Sequence, residues 1–293
     1  MSSIANILAI VGDANGGHDS LLLAFRAARQ FNAHVDAFHV LPDPAAALPL
    51  VSEAMSGAMV DEMMTMAKQE SEHRAAKARQ AYDQLVAEMK VPRDDGPPRA
   101  AGGFAASWVE DTGVEEQVVA LRACRADLIT LSRPAAGNDA GALMTLNSAL
   151  MQSGRPVLVA PPLQGGALPT GPFARVSVFW NGSAEATRAI TAALPFLIAA
   201  EQVIVLQVEE DEWYAPTEDL MVFLTRHGVV NVVSKVLPKE GRTGHSLLAA
   251  TAAAGADMMV MGAYTRSKLR QLIFGSVTGY IMEHATLPVL LCH

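Results

Sequence analysis

Short apolar runs recur along the chain, and segments with helical patterns separate them. Four of the runs are continuous rather than alternating: residues 7–11, 176–180, 203–208 and 258–261. Continuous runs are typical of strands that are covered on both faces. Strands that alternate with helices predict parallel sheets with right-handed crossovers, and ligands bind such sheets at the carboxyl ends of the strands.

The same order of elements occurs twice. The first half runs from "NILAIVGD" to "GRPVLVAPP" and the second from "RVSVFWNGS" to "TLPVLLCH", each with strands and helices in alternation. Between them, "LQGGALPTGP" at residues 163–172 has the Gly and Pro content of a linker. We therefore predict two tandem α/β sandwich domains, residues 1–163 and 173–293, each a mostly parallel five-stranded sheet flanked by helices.

The first half also contains a long helical insertion at about residues 51–90. Four methionines recur there at helical spacing and predict one apolar stripe: Met55, Met59, Met63 and Met66. We expect this stripe to pack against its own domain or its twin. The alternative is an adaptable surface that binds a partner.

Composition and charge exclude several classes of partner. The chain of 293 residues is 51% hydrophobic and 18% charged, which is ample material for two cores. Its net charge is −8 and no Lys/Arg run is present, so we expect neither nucleic acid nor an anionic membrane as partner. The longest apolar segment is interrupted by Pro195 and Glu201 and predicts a helix end followed by a strand, not a membrane span.

The chain start and the cysteines point to a cytoplasmic location. "MSSIANILAIVGD" lacks the basic lead and the long apolar run of a signal peptide. Cys124 and Cys292 lie far apart, without the paired spacing of a zinc site, which fits a reduced compartment.

The segment "GAYTRSKLRQLIFGSV", which begins at Gly262, predicts a site for phosphate. Gly262 ends an apolar run, and a glycine there lets the backbone approach a ligand without an intervening Cβ. Gly275 and Ser276 open a helix whose first N–H groups are unpaired and carry the positive end of the dipole. Three cations alternate between these ends, and one of them can be aimed at phosphate: Arg266, Lys268 and Arg270.

This segment, together with "MMVMG", "WNGS" and "LPVLLC", resembles the universal stress protein (UspA-like) family. The family signature is Gly-x2-Gly-x9-Gly-Ser/Thr, and its positions are Gly262, Thr265, Gly275 and Ser276, with Thr in place of the second Gly. The resemblance covers almost all of the second half and, more weakly, the first. It implies a tandem member with a Rossmann-like fold of the adenine nucleotide alpha hydrolase type.

The resemblance also implies a function. A family member is expected to be a cytoplasmic stress-response or regulatory protein that binds ATP or a related adenine nucleotide, with or without Mg²⁺, and hydrolyses it slowly if at all. The implied nucleotide-binding residues are Asn181, Val208, Met261, Gly262, Thr265, Arg266, Gly275, Ser276 and Val277.

Two positions depart from the family pattern and leave an alternative open. Asn181 replaces the usual Asp, although an amide still bonds a ribose hydroxyl or a base edge. Thr265 is strained if its position needs a positive φ, and its methyl then enters the phosphate site. The alternative function is a scaffold or interaction protein with a degenerate site, which works through the helix at residues 51–90.

The first half lacks the signature, so we assign it to structure and pairing. By resemblance to dimers in the family, the closing strands "RPVLVAP" and "LPVLLC" are expected to join the halves into an internal pseudo-dimer, which covers exposed strand edges. A homodimer of the whole chain is also compatible with the sequence.

Other motifs have simpler interpretations. "NGGHDS" at residues 15–20 resembles the loop of ATP pyrophosphatases, an enzyme class that would depend on Gly16, Gly17 and Asp19. Asp13 and Ala14 separate this loop from its strand, so we predict a turn in which Asp19 or Ser20 caps the following helix. We expect His39 to be structural and the carboxylates at residues 209–212 to be solvated, and we predict no catalytic or metal-binding residues.

Overall fold

Ten strands and eight helices alternate along the residues that the computed structural model describes, which are 4–12, 16–43, 57–96, 103–134, 139–163, 169–209, 216–263 and 276–293. The strands are β1 (Asn6–Ile10), β2 (His34–Pro42), β3 (Ala105–Gly113), β4 (Leu128–Ser132), β5 (Val157–Ala160), β6 (Arg175–Phe179), β7 (Gln202–Val208), β8 (Val232–Leu237), β9 (Met258–Gly262) and β10 (Val289–Cys292). The helices are α1 (Gly16–Phe31), α2 (Gly57–Glu88), α3 (Glu115–Ala123), α4 (Ala140–Gln152), α5 (Ala184–Ala199), α6 (Thr217–Arg226), α7 (Thr243–Ala253) and α8 (Ser276–His284).

All ten strands form one sheet in the order β3-β2-β1-β4-β5-β10-β9-β6-β7-β8. Read outward from its centre, the two halves of this order match strand for strand, so the halves are related by a pseudo-twofold axis between β5 and β10. Those two strands pair antiparallel, with Leu158 opposite Leu290, while the pairs within each half are parallel. The predicted α/β class and the pairing of the halves through their closing strands are confirmed.

The sheet separates two apolar cores. In β1, Ile7 and Ala9 pack with α1, α2, α5 and α6, whereas Leu8 and Ile10 pack with α3, α4, α7 and α8. Successive side chains of a strand point to opposite faces, so a strand between two cores needs an apolar residue at every position. This is the physical reason for the continuous runs in the sequence.

The amino-terminal half of helix α2 is largely exposed. Its buried residues begin only at Ser71. Met59 is 54% and Met66 is 64% exposed, and Met63 is also exposed. The expectation that the methionine stripe packs against the protein's own domains is therefore wrong for these three residues, while Met55 lies outside the described residues. The first part of α2, before Ser71, extends past the apolar core against which the rest of the helix packs.

Helix α1 begins earlier than predicted, at Gly16, so neither Asp19 nor Ser20 is its cap. Both residues bind other parts of the chain. The Asp19 carboxylate accepts the N–H of Leu163 at 3.0 Å, and the backbone N–H of Ser20 donates to the Ser132 hydroxyl at 3.1 Å. Polar residues just before a helical pattern are typical of a cap. Here Asp19 and Ser20 instead lie within the first turns of α1 and bind residues that are distant in the sequence.

A buried arginine connects the two halves. Arg26 of α1 is 4% exposed, donates to the carbonyls of Gly171 (2.8 Å) and Pro172 (3.1 Å), and lies 3.8 Å from the centre of the Phe173 ring. Its guanidinium is 3.5 Å from the Asp257 carboxylate. Burial lowers the pKa of Arg26 from its ordinary value, and the charge of Asp257 opposes that shift. An arginine remains protonated even so, and the cation therefore needs these partners.

Asp257 has a counterpart at the matching position of the other half. One oxygen of Asp257 accepts the N–H groups of Ala174 and Arg175, at 3.0 and 3.2 Å. Asp127, in front of β4, likewise accepts two backbone N–H groups at 2.9 and 3.0 Å, but residue 195, which matches Arg26 in α5, is a proline. The two carboxylates therefore make the same backbone hydrogen bonds, but only Asp257 lies beside a buried arginine.

We predict that Asp257→Ala lowers the free energy of unfolding more than Asp127→Ala does. Each change removes two hydrogen bonds to backbone N–H groups, which should lower the free energy of unfolding by about 1 to 2 kcal/mol. Asp257→Ala also leaves the buried Arg26 without its carboxylate, which raises the loss to about 3 kcal/mol. Urea unfolding of both variants measures the difference, and equal losses would show that the contact with Arg26 contributes nothing.

Candidate functional site

The carboxyl ends of β9, β6 and β7 lie side by side at one edge of the sheet. After β6 the chain crosses on one face through α5, and after β9 it crosses on the opposite face through α8. Neighbouring parallel strands whose connections leave in opposite directions create a crevice at their carboxyl ends, where ligands of α/β proteins bind. This edge brings together Asn181, Val208, Met261 and Gly262 from the predicted site.

Gly262 is required by packing. A Cβ at this position would lie 2.5 Å from the backbone nitrogen of Ala186 and 2.6 Å from the carbonyl carbon of Glu185, in the first turn of α5. These are backbone atoms that cannot rotate away. Sequence reasoning assigned this glycine to the approach of a ligand, whereas the structure shows that the start of α5 already occupies the space beside it.

A tight turn connects β6 to α5. The Asn181 side-chain oxygen accepts the N–H of Ser183 at 3.2 Å, and Gly182 has φ 70°. The Ser183 hydroxyl then caps α5 by accepting the N–H of Ala186 at 3.1 Å. Positive φ at the middle residue favours glycine, so the Asn-Gly-Ser sequence builds this turn and positions Asn181 at the crevice.

The remaining predicted residues fall into two groups. Val208 and Met261 are 5% and 1% exposed, and their side chains belong to the core on the α7 and α8 face, so only their backbone can meet a ligand. Ser276 begins α8 and is exposed, and Val277 packs against the same core. Thr265, Arg266 and Gly275 belong to residues 264–275, which lie outside the described residues.

The first half carries a cavity of about 340 Å³ at the corresponding edge, which sequence reasoning missed because this half lacks the glycine signature. The residues around it include Gly12, His39, Ser132, Arg133, Asp139 and Thr145. The volume lies within the usual range of ligand pockets. Its position could have been found by matching the strands of the two halves.

The polar groups of this first-half cavity do not favour phosphate. The Asp139 carboxylate caps α4 by accepting the N–H of Ala142 at 3.1 Å, which places a negative charge where a phosphate would bind. Arg133 donates to the carbonyl of Ala285 at 2.6 Å; burial lowers its pKa, and Glu283 opposes the shift. His39 is 4% exposed, and its Nδ1 lies 2.7 Å from the carbonyl oxygen of Val11. This contact fits the structural role predicted for His39.

The other sequence candidates gain no support. Within the described ranges, no group of three His, Cys, Asp or Glu side chains could hold a metal ion, and no helix is long and apolar enough to cross a membrane. Of the acidic run at residues 209–212, the structure describes only Glu209. Asp19, which the pyrophosphatase interpretation needs, holds the N–H of Leu163 instead.

Comparison with known proteins extends these observations. Residues 209–293 match the model of the universal stress protein family. A universal stress protein from Archaeoglobus fulgidus DSM 4304 has 16% identity and a TM-score of 0.64, over 98% of this chain and 95% of that one. A protein of unknown function from Pseudomonas aeruginosa PAO1 has 12% identity and a TM-score of 0.54, over 99% and 92%. No curated protein sequence matches the chain.

These findings confirm the resemblance to the universal stress protein family. The match of the family model lies entirely in the second half, where the sequence carries the signature. The two structural likenesses extend over both halves and concern the fold.

Gly262→Ala should destabilise the protein, because the added methyl must displace the first turn of α5. We expect the free energy of unfolding to fall by about 2 kcal/mol or more, as in other overpacked cores. Gly141→Ala is the matched control: its Cβ meets no atom within 4 Å in α4, so the change should be neutral or stabilise the helix by up to about 1 kcal/mol. Urea unfolding compares the two, and a neutral Gly262→Ala would contradict the packing argument.

The two cysteines should differ in reactivity. Cys292 follows Leu291 at the end of β10; burial raises its thiol pKa to about 12, and the charge of Arg188 opposes the shift. The raised pKa leaves very little thiolate at pH 8, whereas Cys124 is exposed. Iodoacetamide at pH 8 should therefore label the native protein at Cys124 and the urea-unfolded protein at both sites. Peptide mass mapping measures this, and equal native labelling would contradict the burial of Cys292.

Proposed function

We propose that this protein is a cytoplasmic stress-response regulator that binds ATP or a related adenine nucleotide at the crevice between β6 and β9. The observation that supports the proposal most is the arrangement of this crevice: Asn181, Gly262 and the start of α5 meet at the carboxyl edge of a parallel sheet. The signature that resembles a nucleotide loop follows directly from β9. The match of residues 209–293 to the family model adds support from the sequence.

The environment of Asn181 suggests how a nucleotide is held. Its side-chain oxygen is engaged by the N–H of Ser183, which turns the amide N–H donors of the same group toward a ligand. Donors suit a ribose hydroxyl oxygen, a base acceptor or a phosphate oxygen. A carboxylate at this position would instead accept from hydroxyl groups and repel phosphate. Asn181 in place of the family's Asp therefore offers hydrogen-bond donors where the Asp would offer acceptors, and it can still bind a nucleotide.

Magnesium would enter this site with the nucleotide. The described part of the chain offers no cluster of carboxylates to hold the ion by itself, so phosphate oxygens would supply its first ligands. The positive end of the α8 dipole, at Ser276, would add to the attraction for phosphate.

A binding function fits these residues better than turnover. A hydrolytic site needs a general base or an activated nucleophile held against the reacting phosphorus. The predicted site residues contain no carboxylate, histidine or cysteine. Binding would instead stabilise the folded state by mass action and shift its association with a partner.

Calorimetric titration of Mg-ATP tests the proposal, with Gly275→Val as the variant. The branched side chain should block the approach of phosphate to the helix, so binding that saturates at one nucleotide per chain should be lost. Gly141→Val is the matched control, because Gly141 stands in the first turn of α4, the equivalent helix of the first half. This control should bind as the unchanged protein does.

Each contrary result has a distinct meaning. Loss of binding in Gly141→Val alone would move the nucleotide to the first-half cavity. Binding that survives both changes would place it elsewhere. If the folded, unchanged protein binds no ATP, Thr265 and Asn181 mark a degenerate site.

A second candidate function is protein binding through α2. Its supporting observation is the exposed face of Met59, Met63 and Met66, since flexible methionine side chains adapt to varied apolar partners. This function survives the loss of Gly275 and is favoured if the intact protein binds no nucleotide.

A further inference from the structure

A groove of about 780 Å³ runs between helix α5 and the amino ends of the first-half strands. One wall consists of α5 residues from Thr187 to Ile198. The opposite wall combines Ile4, Phe31 and Leu150 with the segment from Gly154 to Pro156. Cys292 and His293, at the end of β10, also line the groove, so it lies at the same edge of the sheet as the crevice between β6 and β9. The described lining residues include none of the residues predicted to bind a nucleotide.

The pseudo-twofold axis gives this groove a counterpart that is filled. Ile7 of β1 and Val176 of β6 occupy equivalent positions, because each pairs with the first residue of the neighbouring strand, β4 or β9. Arg26 follows Ile7 by the same number of residues as Pro195 follows Val176, so Arg26 and Pro195 are also equivalent. On the filled side, the Arg26 side chain and the carbonyls of Gly171 and Pro172 close the space beside Asp257. On the groove side, Asp127 and Pro195 both line the open space.

Smaller side chains on α5 enlarge the groove. Four consecutive or near-consecutive positions carry a smaller residue than their α1 counterparts: Thr191 for Leu22, Ala192 for Leu23, Leu194 for Phe25 and Pro195 for Arg26. Leu23 and Phe25 are fully buried, whereas Ala192 and Leu194 are half-buried. An apolar wall that stays uncovered loses contacts that a ligand can restore.

The charges around the groove favour an anion. Arg155 donates twice to the carbonyl of Cys124, at 3.0 and 3.1 Å, so both bonds go to a neutral group. Arg188 lines the same space, but it is paired with the Glu185 carboxylate at 3.1 Å and donates to the His293 carbonyl at 2.8 Å. The lining carboxylate, Asp127, already accepts two backbone N–H groups through one oxygen. Arg155, whose bonds go only to a neutral carbonyl, is therefore the group on the described wall of the groove that favours an anionic ligand.

We propose that this groove binds one small amphipathic carboxylate, a molecule with an unbranched apolar body and a single anionic head. The apolar body lies along Ala192, Leu194 and Ile198, and the head pairs with Arg155. Pockets of about 300 to 1,000 Å³ that are mostly apolar with a few polar groups are the usual ligand sites of proteins. A triphosphate nucleotide does not fit this pattern, because its charge is too high for one arginine and an apolar wall.

Calorimetric titration with decanoate tests the proposal, and 1-decanol serves as the neutral ligand of equal chain length. We expect one decanoate to bind per chain and decanol to bind at least about threefold more weakly, the effect of one exposed ion pair. Ala192→Trp fills the groove and should weaken decanoate binding at least about tenfold, since overpacking excludes the chain. Circular dichroism verifies that this variant is folded.

Arg155→Gln tests the anionic head without touching the core, because Arg155 is exposed. It should weaken decanoate about threefold or more and leave decanol unchanged. Arg125→Gln is the matched control on the nearby surface, outside the groove, and should bind as the unchanged protein does. Gly275→Val should keep decanoate binding, which separates this site from the nucleotide site.

Three results would overturn the proposal. They are the lack of saturable decanoate binding by the folded protein, decanoate binding unaffected by Ala192→Trp, and decanol binding as tight as that of decanoate.

Discussion

The antiparallel pairing of β5 with β10 is the contact on which the rest of the structure depends. It joins two five-stranded sheets into one and covers an edge of each, where unpaired N–H and C=O groups would otherwise invite association with other chains. It also inverts one half relative to the other. The carboxyl ends of the two sets of parallel strands therefore lie at opposite edges of the sheet, and each edge carries a crevice of its own.

The same inversion brings α1 and α5 together across the axis. Phe31 of α1 meets Phe196 of α5 across the halves with ring centres 4.7 Å apart, and Phe173, at the start of the second half, packs against the same Phe196 ring at 5.4 Å. Contacts between the halves are thus made by a strand pair in the sheet and by aromatic rings on one face. Separation of the halves would break both the backbone hydrogen bonds of the strand pair and this close packing.

Differences between matched positions show how the two halves have diverged. At the end of β4, the Ser132 hydroxyl binds the N–H of Ser20 in α1, whereas at the end of β9, Gly262 lets α5 approach directly. At the start of the last helix, Asp139 caps α4 with a negative charge, whereas Ser276 begins α8 with a neutral hydroxyl. The first difference lets α5 approach the end of β9 more closely, and the second leaves the start of α8 without the negative charge that caps α4. Helix α5 borders both this crevice and the apolar groove, since Glu185 contacts Gly262 and Thr187 lines the groove.

The sequence by itself determined the strands, their parallel arrangement and the duplication, because a strand between two cores must be apolar at every position. It also carried the resemblance to the universal stress protein family, because Gly and Ser at fixed spacing describe local backbone geometry. It failed where the outcome depended on distant residues. Helix periodicity predicted a methionine stripe, but only the tertiary structure decided that Met59 and Met66 extend beyond the core that could have covered them. The local sequence predicted that Asp19 caps α1, but its partner in the structure is the N–H of Leu163, 144 positions later at the end of the same half. Neither periodicity nor motifs could predict the apolar groove, since it lies between small side chains on α5 and residues from several distant parts of the chain, from Ile4 to Pro156. Only folding places those surfaces face to face.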